Sequence, residues 1–123
     1  MHKQCNNKMA IETLHTLEII EVLENFLERK RPKEEFRDKV DISYHLDKQS
    51  VMIYEIRPRW NNPEEIMELP IAKATFVIAK DIWKVYWRQS DQKWHSYTPE
   101  PTVDHIQEFV SLVEQDEYYC FWG

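Results

Sequence analysis

Between residues 40 and 97 apolar and polar side chains alternate with a period of two, while the stretches on either side repeat at helical spacing. That change of period constrains the fold most, because strict alternation suits a strand with one buried face and nothing else. Val40, Ile42, Tyr44 and Leu46 alternate with Asp41, Ser43 and His45. Asp47-Lys48-Gln49-Ser50 is a polar turn, and Val51 to Arg57 returns as an antiparallel partner. Ala72–Ala79, Ile82–Gln89 and Lys93–Tyr97 read as three more strands, joined by turns at Lys80-Asp81 and Ser90-Asp91-Gln92. Asn61 to Pro70 reads as an acidic loop bounded by prolines, with Glu64, Glu65 and Glu68.

The flanks are helical. Met9 to about Lys30 carries an apolar stripe of Leu14, Leu17, Ile20, Leu23, Phe26 and Leu27. Arg29, Lys30 and Arg31 suit the negative end of the helix dipole, and Pro32 stops the helix. Lys33 to Lys39 reads as a helical turn or linker. Thr98-Pro99-Glu100-Pro101 cannot continue a sheet, and Thr102 makes a good N-cap for a second helix bearing Val103, Ile106, Phe109, Val110 and Val113. The predicted fold is α+β: a five-stranded antiparallel sheet flanked by an N-terminal and a C-terminal helix, with both helices against the face that carries Trp83 and Trp87. Residues 1–123 are expected to form one domain, with 1–8 flexible. A chain of 123 residues can bury roughly two-thirds of its unfolded surface.

Composition removes several chemistries. The only glycine is Gly123, so the glycine-dependent phosphate loops, dinucleotide fingerprints and nucleophile elbows have no counterpart here. His2, His15, His45, His95 and His105 are scattered, and none forms a metal-binding pair at helical spacing. Cys5 and Cys120 show neither a disulfide framework nor a CxxC pattern, which fits free thiols in a reducing compartment. With no apolar leader and no run long enough to cross a bilayer, the expectation is a cytoplasmic protein without membrane contact or cofactor. The aromatic end, Tyr118-Tyr119-Cys120-Phe121-Trp122, must dock on the core or on a second subunit, so a homodimer is the expected assembly.

Tyr54-Glu55-Ile56-Arg57-Pro58-Arg59-Trp60 is the most unusual segment, because charges of both signs follow the apolar start Val51-Met52-Ile53. If Glu55, Arg57 and Arg59 share a face with Lys73, Thr75, Lys84, Tyr86, Arg88, Lys93 and His95, the sheet presents one cationic surface. Ile56, Ala74, Phe76, Trp83, Val85, Trp87 and Trp94 then meet the helices. Arginine forks grip phosphate or carboxylate, and Trp60, Tyr86 and Tyr97 offer rings on which bases can stack. Such a face favours non-catalytic binding of an anion, either nucleic acid or a small phosphate or carboxylate. Two alternatives stay open. One is a purely structural or protein-interaction domain whose charges form cross-strand pairs. The other is a metal-dependent nuclease-like enzyme around Glu55 with Asp41 or Asp47, although Arg57 stands where such an enzyme needs a lysine.

Glu28–Pro32, Glu55–Trp60, Ala72–Phe76, Trp83–Trp87, Lys93–His95 and the closing Cys120–Gly123 resemble the motifs of a family of small bacterial proteins. That family is catalogued only as a domain of unknown function. The resemblance covers nearly all of the chain after about Ile11 and implies a stand-alone bacterial domain. It implies no activity, cofactor or site residue.

Overall fold

The computed structural model describes residues 13–122. Residues 1–8, Cys5 and the Met9 start of the first predicted helix lie outside them. Helix α1 (Thr13–Lys30) leads through a 3-10 turn (Glu34–Phe36) into β1 (Asp41–Leu46), β2 (Ser50–Arg59), β3 (Asn62–Val77), β4 (Ile82–Arg88), β5 (Trp94–Ser96) and β6 (Thr102–Val103), and the last element is helix α2 (Ile106–Gln115). The strands pair antiparallel in the order β1-β2-β3-β4-β5. The short β6 joins the same edge of β4 that β5 occupies, further along it. This is the predicted α+β arrangement with one small strand added.

Both helices lie on one face. Ile19, Leu23 and Phe26 of α1 and Ile106, Phe109, Val110 and Val113 of α2 are buried with Val51, Ile53, Ala72, Ala74, Phe76, Trp83 and Val85 of the sheet. Trp83 is 1% exposed, as its phase on β4 predicts. The predicted stripe of α1 is rotated by about one residue. Leu17 is 58% exposed and Ile19 takes the buried place beside Leu23. Leu17, Ile19 and Ile20 are all apolar, so two overlapping stripes can be drawn, and only contact with the sheet selects between them.

The acidic segment is strand rather than loop. β2 and β3 form a long ribbon that runs from Ser50↔Thr75 to Arg59↔Asn62 and turns at Trp60-Asn61. Its prolines are tolerated because each has a vacant side. β1 pairs with β2 only as far as Ile56, short of Pro58. β4 pairs with β3 only from Ala72 onward, past Pro63 and Pro70. Proline gives no donor to a ladder, so such edges are where it belongs. A register shift between Ile53 and Tyr54 leaves Ile71 as an extra residue on β3.

The second helix also starts later than expected. Thr102 and Val103 are in β6, opposite Lys84 and Trp83. The chain leaves the edge of β4 after Tyr97 N–H donates to Val85 O, and it returns where Val85 N–H donates to Pro101 O. His105 caps α2, and the Glu108 carboxylate accepts from the N–H groups of His105 (2.9 Å) and Asp104 (3.1 Å).

The aromatic end docks on its own chain. Asp116 takes the left-handed conformation (φ 42°) and its carboxylate accepts from the N–H groups of Phe121 and Trp122, both at 3.0 Å. Phe121 is then buried 4.8 Å from the Tyr97 ring, and Trp122 Nε1 donates to Val113 O at 2.9 Å. Trp83→Ala should cost about 3–5 kcal/mol, read from urea denaturation, because the cavity opens where helices and sheet meet. Asp116→Ala should cost about 2–3 kcal/mol, since it leaves two amides that were held by one carboxylate. A thermal melt unchanged in Asp116→Ala would mean that the tail is held by its rings alone.

Candidate functional site

The face of the sheet opposite the helices is covered by no described element. The strand register assigns its occupants. His45 stands opposite Met52, Met52 opposite Lys73, Lys73 opposite Tyr86, and Tyr86 opposite Ser96, a single row across five strands. One row along, Ser50 faces Thr75, Thr75 faces Lys84, and Lys84 faces Thr102. On the other side Ser43 faces Tyr54, and Arg88 faces Trp94.

Within this lattice Lys73 and Arg88 rest on rings. Lys73 Nζ is 5.0 Å from the Tyr86 ring centre and 4.9 Å from that of Trp94. The Arg88 guanidinium carbon is 5.5 Å from the Trp94 ring centre. A ring quadrupole attracts a cation without neutralising it. No ion pair among the described residues engages Lys73, Lys84 or Arg88. Burial holds the Lys73 amine below the usual lysine range, and the nearby Arg88 charge lowers it further. At the other end of the face the His45 and Tyr54 rings meet edge-on at 5.0 Å. Burial raises the Tyr54 phenol, and the Glu68 charge adds to that.

The predicted site therefore divides. Lys73, Lys84, Tyr86 and Arg88 share the open face as expected. Trp94 and Ile56, assigned to the helix side, belong to it as well. His95 does not: it pairs with Trp87, whose ring is 6.5 Å away on the other face, and its Nε2 lies 2.8 Å from Asp91 Oδ2. Tyr97, expected to stack on a base, is 1% exposed in the core. Glu55, Arg57 and Arg59 follow the phase of buried Val51 and Ile53, so they sit on the helix side where β2 outruns the helices. There Arg57 pairs with Glu55, and Arg59 Nε lies 2.9 Å from Glu65. Trp60 stands at the ribbon tip, 90% exposed.

Sequence reasoning missed His45, Met52, Tyr54 and Trp94. The signal for the β2 residues was present: Val51 and Ile53 are apolar in the phase of Glu55, which sends Met52 and Tyr54 the other way. Trp94 at the start of β5 and Tyr97 just past its end have opposite phases, and either could have been the core ring.

The carboxylates proposed around Glu55 do not converge. Asp41 stands opposite Ile56 and Glu55 opposite Ile42, so the two leave opposite faces. Asp41 is held by both nitrogens of an Arg31 fork at 2.8 Å, which keeps its carboxyl below the usual range. Among the described residues no three His, Cys, Asp or Glu side chains gather as a metal site, and no helix is long and apolar enough to cross a membrane. Burial raises the Cys120 thiol, which suits a docked tail better than a nucleophile. Two shallow depressions, one lined by Tyr97, Pro99, Leu112 and Tyr118 and one by Glu24, Leu27, Arg31 and Arg37, lie away from the open face.

A family model described as a domain of unknown function, DUF3024, matches residues 11–123. The chain belongs to the DUF3024 family. No curated protein and no solved structure matches it. The resemblance to a domain of unknown function is thereby shown, and what this DUF3024 chain does has to be read from its own side chains.

Lys73 gives a test of the open face. Its folded pKa lies below its unfolded value, so carrying the charge costs stability below the folded pKa. That cost disappears as pH rises through the folded pKa toward the unfolded one. In an NMR titration Lys73 should lose its proton below the ordinary lysine range, and Arg88→Gln should move it back up. A Lys73 titration unchanged in Arg88→Gln would contradict the proximity of the two charges.

Proposed function

We propose that the open sheet face binds an anionic ligand without catalysing a reaction on it. The observation that carries this reading is Lys73 held between Tyr86 and Trp94, with Arg88 on the same Trp94 ring and neither cation paired with a carboxylate among the described residues. Four arginines elsewhere are matched to acids. Arg29 makes a forked pair with Glu114 at 2.8 and 3.2 Å, Arg31 pairs with Asp41, and Arg57 and Arg59 pair within the ribbon. The formal net charge is −6, so acids are in excess, yet this face keeps three cations outside those pairs. Rings preposition Lys73 and Arg88 and leave their N–H donors available to phosphate or carboxylate oxygens.

The paired state of Arg57 and Arg59 supports a structural role for the ribbon cluster, so the binding reading no longer needs them. Calorimetric titration with inorganic tripolyphosphate tests the proposal. Binding should weaken about ten- to a hundredfold in Lys73→Ala and in Arg88→Ala, the range for losing one charged hydrogen bond. Arg57→Ala should leave binding intact and lower the melting temperature instead. No binding, or binding equally affected by Arg57→Ala, overturns the reading.

A further inference from the structure

Resting on the anion reading above, we infer that the ligand is single-stranded nucleic acid laid across the strands. Three features of the open face select a polymer with bases over a small anion. The first is extent. The row His45, Met52, Lys73, Tyr86, Ser96 crosses four strand-to-strand steps, about 19 Å at ordinary strand spacing. A single phosphate or carboxylate group reaches only one station of that row, whereas a polymer can occupy several.

The second feature is the order of stations along that span. The His45–Tyr54 rings stand on β1 and β2, the Tyr86–Trp94 rings on β4 and β5, and Lys73 lies between them on β3. A strand of nucleic acid has the same alternation of flat base and charged phosphate. Bases stack on aromatic faces or on guanidinium planes, and this end of the face offers both, with the Arg88 guanidinium carbon 5.5 Å from the Trp94 ring centre. Met52, half-buried opposite Lys73, fills the floor with an apolar, adaptable side chain.

The third feature is polarity across the molecule. Glu18, Glu21, Glu24 and Glu28 are exposed on α1, on the far side of the sheet. Asp41, held by Arg31, and Glu68 flank Ile56 at one end of the open face, so in this net acidic chain the surface that suits phosphates is the end that carries Lys73, Lys84 and Arg88. A duplex is a poorer match. It offers a flat sheet only its phosphate exterior, with its bases already stacked on each other, so the rings contribute nothing.

Fluorescence anisotropy separates these cases with a labelled oligothymidylate, an abasic strand of the same length and charge, and a duplex. The oligothymidylate should bind about ten- to a hundredfold tighter than the abasic strand, the worth of one stacked base. Trp94→Leu should close that gap, with Tyr86→Leu as a second variant should Trp94→Leu fail to fold in a thermal melt. The dependence of log affinity on log salt should flatten by about 0.7 in Lys73→Ala, the change for one phosphate of a single strand that is no longer neutralised. An oligothymidylate that binds no better than the abasic strand, or a duplex that matches it, overturns this inference and leaves the anion reading to the tripolyphosphate titration. Failure of every probe, tripolyphosphate included, removes both.

Discussion

The contact between Trp83 and Phe76 under the helices decides the rest of the molecule. Their ring centres are 5.1 Å apart, and the His15 ring of α1 meets both edge-on at 5.1 and 5.7 Å. Burying Trp83 and Val85 on β4 obliges Lys84, Tyr86 and Arg88 to point the other way, because alternate residues of a strand leave opposite faces. The register carries that choice outward. Opposite β4, Ala72, Ala74 and Phe76 go in and Lys73 and Thr75 go out, and from there Met52 and Trp94 are turned outward too. A slip of one residue would exchange the two faces and put Lys73 in the core, which is why the hydrophobic pattern holds the register so firmly.

Backbone geometry is met with few special residues. With its one glycine at the last position, the chain places Asp81, Gln92, Asp116 and Tyr119 at positive φ. Aspartate tolerates that region better than most side chains. At Asp116 the same conformation aims the carboxylate at the amides of the tail, so one unfavourable dihedral is offset by two charged hydrogen bonds. The ribbon follows a similar logic. Its prolines and paired charges occupy edges that another chain could otherwise extend, which suits an exposed strand.

Charges are sorted by layer in part, with Asp41 and Glu68 beside Ile56 on the open side of the sheet. The acids of the helices either face solvent or pair with arginine, and the Arg29–Glu114 and Arg31–Asp41 pairs tie α1 to α2 and the segment after α1 to β1. Tyr44 joins them, donating to Glu24 at 2.7 Å, and burial with that bond pushes its phenol up to about 12. Its folded pKa is raised, so this contribution to stability is complete below the ordinary tyrosine value and is lost only as pH rises toward the folded one. Lys73 and Arg88 of the open face are held by rings instead.

Element types and fold class were legible from periodicity, since a change from helical spacing to strict alternation has few structural solutions. The buried phase of β4 was legible as well, because Trp83, Val85 and Trp87 repeat it over three consecutive alternations. The absence of glycine loops and of paired histidines is also a property of sequence alone. The phases of β2 and β5 relative to β4 were not legible. Alternation identifies two faces within each strand, but it does not say which face of one strand continues into its neighbour. Glu55, Arg57 and Arg59 looked like markers of the open face because they are charged, yet they share the phase of Val51 and Ile53 and reach solvent only where the ribbon outruns the helices. Trp94 looked like core because it is aromatic, yet Tyr97 takes that place and meets Phe121 from the far end of the chain. Side-chain type sets which contacts are favourable, whereas pairing register and helix length set which positions are covered, and those depend on residues far apart in the chain.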